Sequence, residues 1–257
     1  MDLNLKGKTA LVCGSTQGIG WESAKALANM GAKCILFSRS EDKLRTKVDE
    51  LGEGHAYIHA DFSKPEEVRS AVQNLVKDEY IHILINNTGG PPGGKIIDAE
   101  VDAFLLAYNQ HLVCNHIITR AVVEGMKKDN YGRIVNVIST SVKIPLNGLG
   151  VSNTTRGAVA SWSKTMANEL AEFGITVNNV LPGATETGRL KSIIENKSKK
   201  LSKEYSEVEN SMLSVIPMKR FAQPNEIANV IAFLASPSAA YVTGQSICVD
   251  GGRTGSI

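Results

Sequence analysis

Short apolar runs alternate with longer amphipathic stretches along most of the chain. Seven runs of about five residues, rich in β-branched side chains, are interpreted as strands: Thr9–Cys13, Lys33–Phe37, His55–His59, Ile81–Ile85, Arg133–Ile138, Thr176–Leu181 and Ser246–Val249. The stretches with apolar residues at helical spacing are expected to be helices: Ile19–Met30, Pro65–Lys77, Asp102–Lys127, Asn153–Phe173 and Pro224–Leu234. This alternation predicts a single α/β domain over residues 1–257, doubly wound around a parallel sheet of about seven strands.

One segment departs from this rhythm. Thr187–Leu213 is polar and contains five lysines. A charge run of this kind is typical of a solvent-exposed helix face. Because the segment follows the end of a strand, it is also placed to act as a mobile cover over a site at that edge of the sheet.

The charges of the chain nearly cancel. Lys and Arg number 28 against 26 for Asp and Glu, which gives a net charge of +2. A balance this small gives no reason to expect nucleic acid or an anionic membrane as a partner. No apolar run approaches the roughly 20 residues that a membrane-spanning helix needs.

The cysteines and the N-terminal residues indicate where the protein works. Cys13, Cys34, Cys114 and Cys248 are far apart, and no CxxC pair occurs, so neither a zinc site nor a redox dithiol is expected. Residues 1–8 lack the apolar core of a secretion signal. We therefore expect a protein without metal, with reduced thiols, in the cytoplasm.

A glycine-rich loop follows the first predicted strand and opens the first predicted helix. Its glycines, at positions 14, 18 and 20, permit a tight turn, the close approach of a pyrophosphate and close packing of the helix on the strand. Free N–H groups at the start of the helix would then face the phosphates. The residues expected to surround a dinucleotide here are Gly14, Ser15, Gln17, Gly18, Ile19 and Gly20. The pattern predicts a Rossmann-type domain.

The end of the second predicted strand indicates which dinucleotide is bound. An NAD-binding fold of this type usually places an acidic side chain there to hold the ribose 2′-hydroxyl. This chain has Ser38 and Arg39 instead, and a guanidinium suits a 2′-phosphate. We therefore expect NADP(H) as the cofactor.

These motifs resemble those of the short-chain dehydrogenase/reductase family, and the resemblance covers nearly the whole chain. The glycine loop is similar to TGxxxGxG, Asn86-Asn87-Thr88-Gly89 to NNAG, and Pro182-Gly183 with Thr187 to PGxxxT. Val242–Gln245 and Asp250–Gly252 resemble the family's C-terminal strand. The 3-oxoacyl-acyl-carrier-protein reductase-like members and related sugar or alcohol dehydrogenases look most similar.

The resemblance implies further cofactor contacts and an assembly. By position in the motifs, the additional residues at the dinucleotide are Asp61, Asn87, Gly89, Pro182, Gly183 and Thr187. It also implies a homotetramer that pairs through Asp102–Lys127 and Asn153–Phe173, with a second contact at the C-terminal strand. The substrate would be a small carbonyl or alcohol compound.

The catalytic positions depart from the family pattern of Ser, then Tyr thirteen residues on, then Lys after four more. Ser139 is present, but the next two positions hold Ser152 and Arg156, and no Tyr occurs between Ser139 and Tyr205. The family's helix Asn aligns with His111. We expect Ser139 and Ser152 to polarise a carbonyl and Arg156 to hold the nicotinamide ribose.

The missing phenol leaves two questions open. The proton could come from His111, from Lys143, from Tyr108 or from solvent, and His111 is the first candidate because its reference pKa is near 6.5. The protein is either an NADP(H)-dependent oxidoreductase with a rearranged proton donor or a catalytically weakened NADP(H)-binding protein. The cofactor motifs fit both, and the retained Ser139, Asn86 and Pro182-Gly183 favour the enzyme.

Overall fold

Seven strands, all paired in parallel, form one sheet in the computed structural model, which describes residues 1–256. The order across the sheet is β3-β2-β1-β4-β5-β6-β7. The strand bounds are β1 Thr9–Cys13, β2 Lys33–Ser38, β3 Ala56–His59, β4 Ile83–Asn86, β5 Gly132–Val137, β6 Ile175–Pro182 and β7 Ser246–Val249. The prediction of a doubly wound domain with a seven-stranded parallel sheet is confirmed.

Helices cover both faces of this sheet. They are α1 Gly18–Asn29, α2 Glu41–Leu51, α3 Pro65–Asp78, α4 Val101–Tyr108, α5 Cys114–Lys128, α6 Gly150–Leu170, α7 Gly188–Leu201, α8 Tyr205–Ser214 and α9 Pro224–Ala235. A π-helical turn, Asn109–Val113, joins α4 to α5, so the predicted helix Asp102–Lys127 is interrupted in its middle. Helix α2 was not predicted, because Leu44 is its only fully buried side chain and the apolar signal is weak.

Alternation within each strand builds the two halves of the core. In β1, Ala10 and Val12 belong to the cluster beneath α1 and α9, whereas Leu11 and Cys13 belong to the cluster beneath α3 and α5. Because successive side chains point to opposite faces, a strand covered on both sides reads as a continuous apolar run. This is why the strands stood out in the sequence.

The polar segment Thr187–Leu213 folds as α7 and α8. A small apolar cluster of its own, which includes Leu190, Ile194, Val208 and Phe221, holds the pair together. The lysines of the segment are mostly exposed, as expected for a solvated face. Within residues 1–256, no helix is long and apolar enough to cross a membrane.

The strand order decides where a ligand can bind. Strand β1 pairs with β2 on one side and β4 on the other, so the chain changes direction across the sheet at β1. In open α/β sheets the crevice at the carboxyl ends of the strands at such a point is the usual binding site. The ends of β1, β2, β4, β5 and β6 all meet at this edge.

Candidate active site

The glycine loop lies at the carboxyl end of β1 in a conformation that requires glycine. Gly14 and Gly18 have φ angles of +59° and +56°, a region that other L-residues rarely adopt. A Cβ at Gly20 would lie 2.6 Å from Nδ2 of Asn87 and 2.8 Å from the carbonyl carbon of Gly14. No side chain caps the first turn of α1. Its N–H groups therefore remain available to an anion.

Two predicted cofactor residues hold this loop in place. The Ser15 hydroxyl, fully buried, accepts a hydrogen bond from the N–H of Phe37 at 3.0 Å. Nδ2 of Asn87 lies 3.3 Å from the carbonyl oxygens of both Cys13 and Gly14. These side chains tie the loop to β2 and β4 and so hold the backbone N–H groups of the loop in place.

The end of β2 offers polar groups that lack a partner. The Ser38 hydroxyl is buried without a hydrogen-bond partner, and Arg39 beside it is exposed and forms no salt bridge within residues 1–256. A hydrogen bond from the N–H of Ser63 is the main cause that lowers the pKa of Asp61, and the charge of Arg39 adds to it. An unpartnered hydroxyl next to a free guanidinium fits the 2′-phosphate of NADP(H).

The segment after β6 closes the other side of the loop. The hydroxyl of Thr187 accepts a hydrogen bond from the N–H of Leu190 at 3.4 Å and so begins α7. The methyl group of Thr187 lies 3.1 Å from the position that a Cβ at Gly18 would take. Gly183 packs against Asp250, where a Cβ would meet the Cα at 2.8 Å. Pro182, Gly183 and Thr187 therefore border the same crevice as the glycine loop.

The predicted catalytic serines stand at the same edge. Ser139 follows β5, and its hydroxyl accepts a hydrogen bond from the N–H of Ser141 at 3.1 Å. Ser152 lies in the first turn of α6 with 8% of its surface exposed, and its hydroxyl bonds to no group within residues 1–256. Both hydroxyls retain a proton that can be donated to a ligand oxygen.

Arg156, one helical turn after Ser152, joins two strand ends. Its Nη1 donates to the carbonyl of Val137 at 3.0 Å, and its Nη2 lies 3.5 Å from the carbonyl of Thr88. The side chain is 7% exposed. Burial, and then the charge of Arg189, lower the pKa of Arg156 to about 10. The guanidinium is therefore still charged at neutral pH.

His111 occupies the π-helical turn between α4 and α5. Such turns are frequent at functional sites. Its Nδ1 lies 2.5 Å from Oγ1 of Thr88, and its Nε2 is buried without a partner. Burial is the main cause that lowers the pKa of His111 to about 2, and the charges of Arg156 and Arg189 add to it. The ring is neutral near pH 7, which argues against an imidazolium as the proton source.

The other two candidate donors lie on the surface. Lys143 is exposed in the loop after β5, and Tyr108 at the end of α4 is 46% exposed. Neither forms a side-chain hydrogen bond with Ser139 or Ser152. Their placement favours solvent over a side chain as the source of the proton.

Sequence reasoning missed Arg189. This residue follows Thr187 by two positions in α7, and its Nη1 and Nη2 donate to the carbonyls of Gly90 and Pro91 at 2.7 and 3.0 Å. It thereby links the polar segment to the loop after β4. In a segment rich in lysine, the one arginine placed just after the PGxxxT-like motif was the available signal.

The buried neutral imidazole makes a prediction about stability. The unfolded chain takes up a proton at His111 below about pH 6.5, whereas the native ring does so only near its pKa of about 2. The free energy of unfolding should therefore decrease as the pH is lowered through this window, and His111 should contribute up to about 1.4 kcal/mol per pH unit. Urea unfolding at pH 7, 6 and 5 should show that the free energy of unfolding decreases less with falling pH in His111→Asn than in the unmodified protein. Equal pH dependence of the two proteins would mean that the native ring is protonated.

Comparisons with known proteins agree with this geometry. A family model described as Enoyl-(Acyl carrier protein) reductase matches residues 14–254. The 3-oxoacyl-[acyl-carrier-protein] reductase FabG of Vibrio cholerae serotype O1 is 34% identical over 254 residues, which cover 97% of this chain and 98% of the relative.

Two solved structures are similar over their full length. The L-sorbose reductase of Gluconobacter frateurii, complexed with NADPH and L-sorbose, has a TM-score of 0.93 at 30% identity and covers 100% of both chains. YwfH, an NADPH dependent reductase involved in bacilysin biosynthesis, has a TM-score of 0.91 at 29% identity, covering 97% of this chain and 99% of its own. With the family model spanning almost the entire chain, the protein belongs to the short-chain dehydrogenase/reductase family.

Proposed function

We propose that the protein is an NADP(H)-dependent oxidoreductase that interconverts the carbonyl and alcohol forms of a small substrate. The observation that carries this proposal is that an uncapped helix N-terminus and the hydroxyls of Ser139 and Ser152 all lie at the carboxyl edge of the sheet. The first group suits a dinucleotide phosphate, and the serines suit a carbonyl oxygen. The reductases among the relatives support the same activity.

The residues present fit NADP(H). The glycine loop would hold the pyrophosphate, Ser38 and Arg39 the 2′-phosphate, Asp61 the adenine side, and Arg156 the nicotinamide ribose. Asn87, Gly89, Pro182, Gly183 and Thr187 would border the rest of the dinucleotide. When bound, NADPH supplies the hydride. Metal assistance is not part of the proposal, and within residues 1–256 no group of three His, Cys, Asp or Glu side chains could hold a metal ion.

The chain's own residues would act mainly on the carbonyl oxygen. Ser139 and Ser152 donate hydrogen bonds to it, which stabilises the negative charge that develops as hydride reaches the carbon. The resulting alkoxide takes its proton from water. His111, neutral and bonded to Thr88, positions the loop that carries the carbonyl partner of Arg156.

The atypical catalytic site is part of this proposal. Ser152 and Arg156 stand at the spacing where the family pattern has Tyr and Lys. An aliphatic hydroxyl is a far weaker acid than a phenol, whose reference pKa is about 10, and Arg156 remains charged. General acid catalysis contributes roughly 10²- to 10⁴-fold in rate. We therefore expect slow turnover.

A catalytically weakened NADP(H)-binding protein is the second candidate, favoured by the same two positions. The experiment that separates them is a fluorescence titration with NADPH, followed by a substrate panel at high protein concentration. The panel should contain ketones, 2-oxo acids, sugars, a 3-oxoacyl thioester and an enoyl thioester. Oxidation of NADPH with any of them supports the enzyme. Tight NADPH binding without any turnover would assign the binding role.

Cofactor preference should reverse in the variant Arg39→Asp. The change removes a charge-assisted contact worth about 1.5–3 kcal/mol and places a carboxylate where the 2′-phosphate would lie. Affinity for NADPH should fall by at least about tenfold, while NADH gains a partner for its ribose hydroxyl. Isothermal titration with both nucleotides measures the ratio.

Lys77→Asp is the matched control, because it makes the same charge change near the C-terminal end of α3, at the opposite edge of the sheet. It should leave the preference unchanged. Equal affinity of the unmodified protein for NADPH and NADH would contradict the assignment of Arg39.

We also propose a homotetramer. Val101, Leu105 and Tyr108 recur at intervals of three or four residues in α4, so they share one face, and Val101 is 71% exposed; Ile97, in the short 3₁₀ turn before α4, is 86% exposed. An apolar stripe of this kind is typical of a surface that is covered in an assembly. Sedimentation velocity at micromolar concentration should show four subunits, and a monomer would contradict the proposal.

A cytoplasmic location completes the proposal. All four cysteines, Cys13, Cys34, Cys114 and Cys248, carry free thiols. Three of them are buried, and burial raises the pKa of Cys34 to about 12. Unpaired thiols, three of them buried, suit a reducing compartment.

A further inference from the structure

Two guanidinium groups converge beside Gly90, one from α6 and one from α7. The position that a Cβ at Gly90 would take lies 2.8 Å from Nη2 of Arg189 and 3.5 Å from Nη2 of Arg156. Arg156 is buried, whereas Arg189 is exposed and its guanidinium bonds to the loop after β4. Two positive charges therefore face one small region of the crevice.

No negative charge compensates them. Within residues 1–256 neither arginine forms a salt bridge with Asp or Glu, although eight other Lys or Arg side chains do. Their partners are the carbonyls of Val137, Thr88, Gly90 and Pro91, which carry only partial charge. A buried cation without an anion is costly. Burial is the main cause that lowers the pKa of Arg156, and repulsion by the charge of Arg189 lowers it further.

His111 lies close enough to both arginines to feel their charges. Nε2 of His111 is fully buried without a hydrogen-bond partner, and both arginines act on this ring. Each guanidinium has five N–H donors, of which the carbonyls use only some. The cluster thus has unused donors and unbalanced positive charge, which is the chemistry that an oxyanion complements.

We propose that Arg189, with the charge of Arg156 beside it, binds a carboxylate carried by the substrate. Arg156 lies one turn from Ser152 and donates to Val137, two residues before Ser139, so the anion would sit close to the reacting carbonyl. A short 2-oxo acid, or the corresponding 2-hydroxy acid, carries its carboxylate directly next to the reacting carbon. The inference rests on the proposed function and names the substrate class of that site.

The phosphates of the cofactor are the other source of an oxyanion. The proposed partners of these phosphates are the glycine loop and Arg39, but Thr187, two residues before Arg189, lies against that loop. The experiment must therefore separate the substrate from the cofactor. Oxalate serves as the probe, because it presents two carboxylates and cannot accept hydride, and oxamide is its neutral counterpart.

Isothermal titration of oxalate into the protein saturated with NADP⁺ tests the proposal. Oxalate should bind and oxamide should not. Arg189→Gln should weaken oxalate by about tenfold or more while leaving the affinity for NADP⁺ unchanged. Arg189→Lys should lose less, because the charge remains and only the fork is lost. Lys191→Gln removes an exposed charge from the same helix and should change nothing.

Three results would overturn the proposal: oxalate that fails to bind in the presence of NADP⁺, oxalate binding that is insensitive to Arg189→Gln, or a loss of NADP⁺ affinity instead. The last would assign the cluster to the cofactor. A kinetic arm compares pyruvate with butane-2,3-dione, and Arg189→Gln should raise KM for pyruvate alone. Should neither compound be reduced, the proposed function would be in doubt, but the oxalate titration would still be decisive for the anion site.

Discussion

Replacing Ser152 by Tyr and Arg156 by Lys in one protein should raise the rate of carbonyl reduction by about 10²-fold or more. The pair would place a phenol one helical turn before an ammonium group, on the buried face of α6 at the end of β5. A phenol can be tuned towards neutral pH by a neighbouring cation, whereas the serine hydroxyl cannot. The measurement is NADPH oxidation with the best substrate of the panel, at equal protein concentration.

Two controls keep this experiment interpretable. The double variant must melt as a folded protein and bind NADPH, because both positions are nearly buried and a phenol is much larger than a serine hydroxymethyl. Arg156→Lys alone separates the effect of the ammonium group from that of the phenol. A folded double variant that binds NADPH but turns over no faster would contradict the view that a missing acid limits the rate.

The variant Gly20→Ala should lose most of its affinity for NADPH. A Cβ at this position would lie 2.6 Å from Nδ2 of Asn87, which hydrogen bonds hold to the loop, and 2.8 Å from the backbone carbonyl carbon of Gly14. Helix α1 must therefore shift away from the loop. Losing two charge-assisted bonds to the pyrophosphate would cost about 3–6 kcal/mol, a reduction of at least hundredfold.

Stability should fall as well, by about 1–3 kcal/mol for an overpacked contact. Gly157→Ala is the matched control, since a Cβ there meets nothing within 4 Å in the middle of α6. Alanine favours a helix over glycine, so this control should keep its NADPH affinity and be slightly more stable. Unchanged NADPH affinity in Gly20→Ala would show that the loop does not hold the pyrophosphate.

The sheet could be predicted from the sequence because its strands are buried on both faces. β1 and β7 have the predicted bounds, and the other strands differ at one or both ends by one or two residues. Helix α2 was the element that the sequence did not predict, because its composition is polar and it buries little more than Leu44. Local pattern suffices where burial is complete and fails where an element is mostly exposed.

The sequence predicted only those parts of the site that lie in recognisable motifs. Glycine spacing located the loop, but it did not show that the Ser15 hydroxyl is committed to β2. Alignment with the family pattern located His111, but its reference pKa said nothing of its burial near two arginines. Arg189 contacts Gly90 and Pro91 across about a hundred residues of chain. Such contacts depend on the tertiary fold, and the sequence offered only the lone arginine after the PGxxxT-like motif as a signal.

Hydride transfer itself is the most direct test. The protein, at high concentration and mixed with NADPH deuterated at either face of the nicotinamide C4, should be incubated with the carbonyl panel and the products analysed by mass spectrometry. We expect slow but measurable transfer of one deuterium from a single face of the nicotinamide to the former carbonyl carbon of the product. NADPH bound at that concentration with no deuterium in any product would contradict an oxidoreductase and leave an NADP(H)-binding protein.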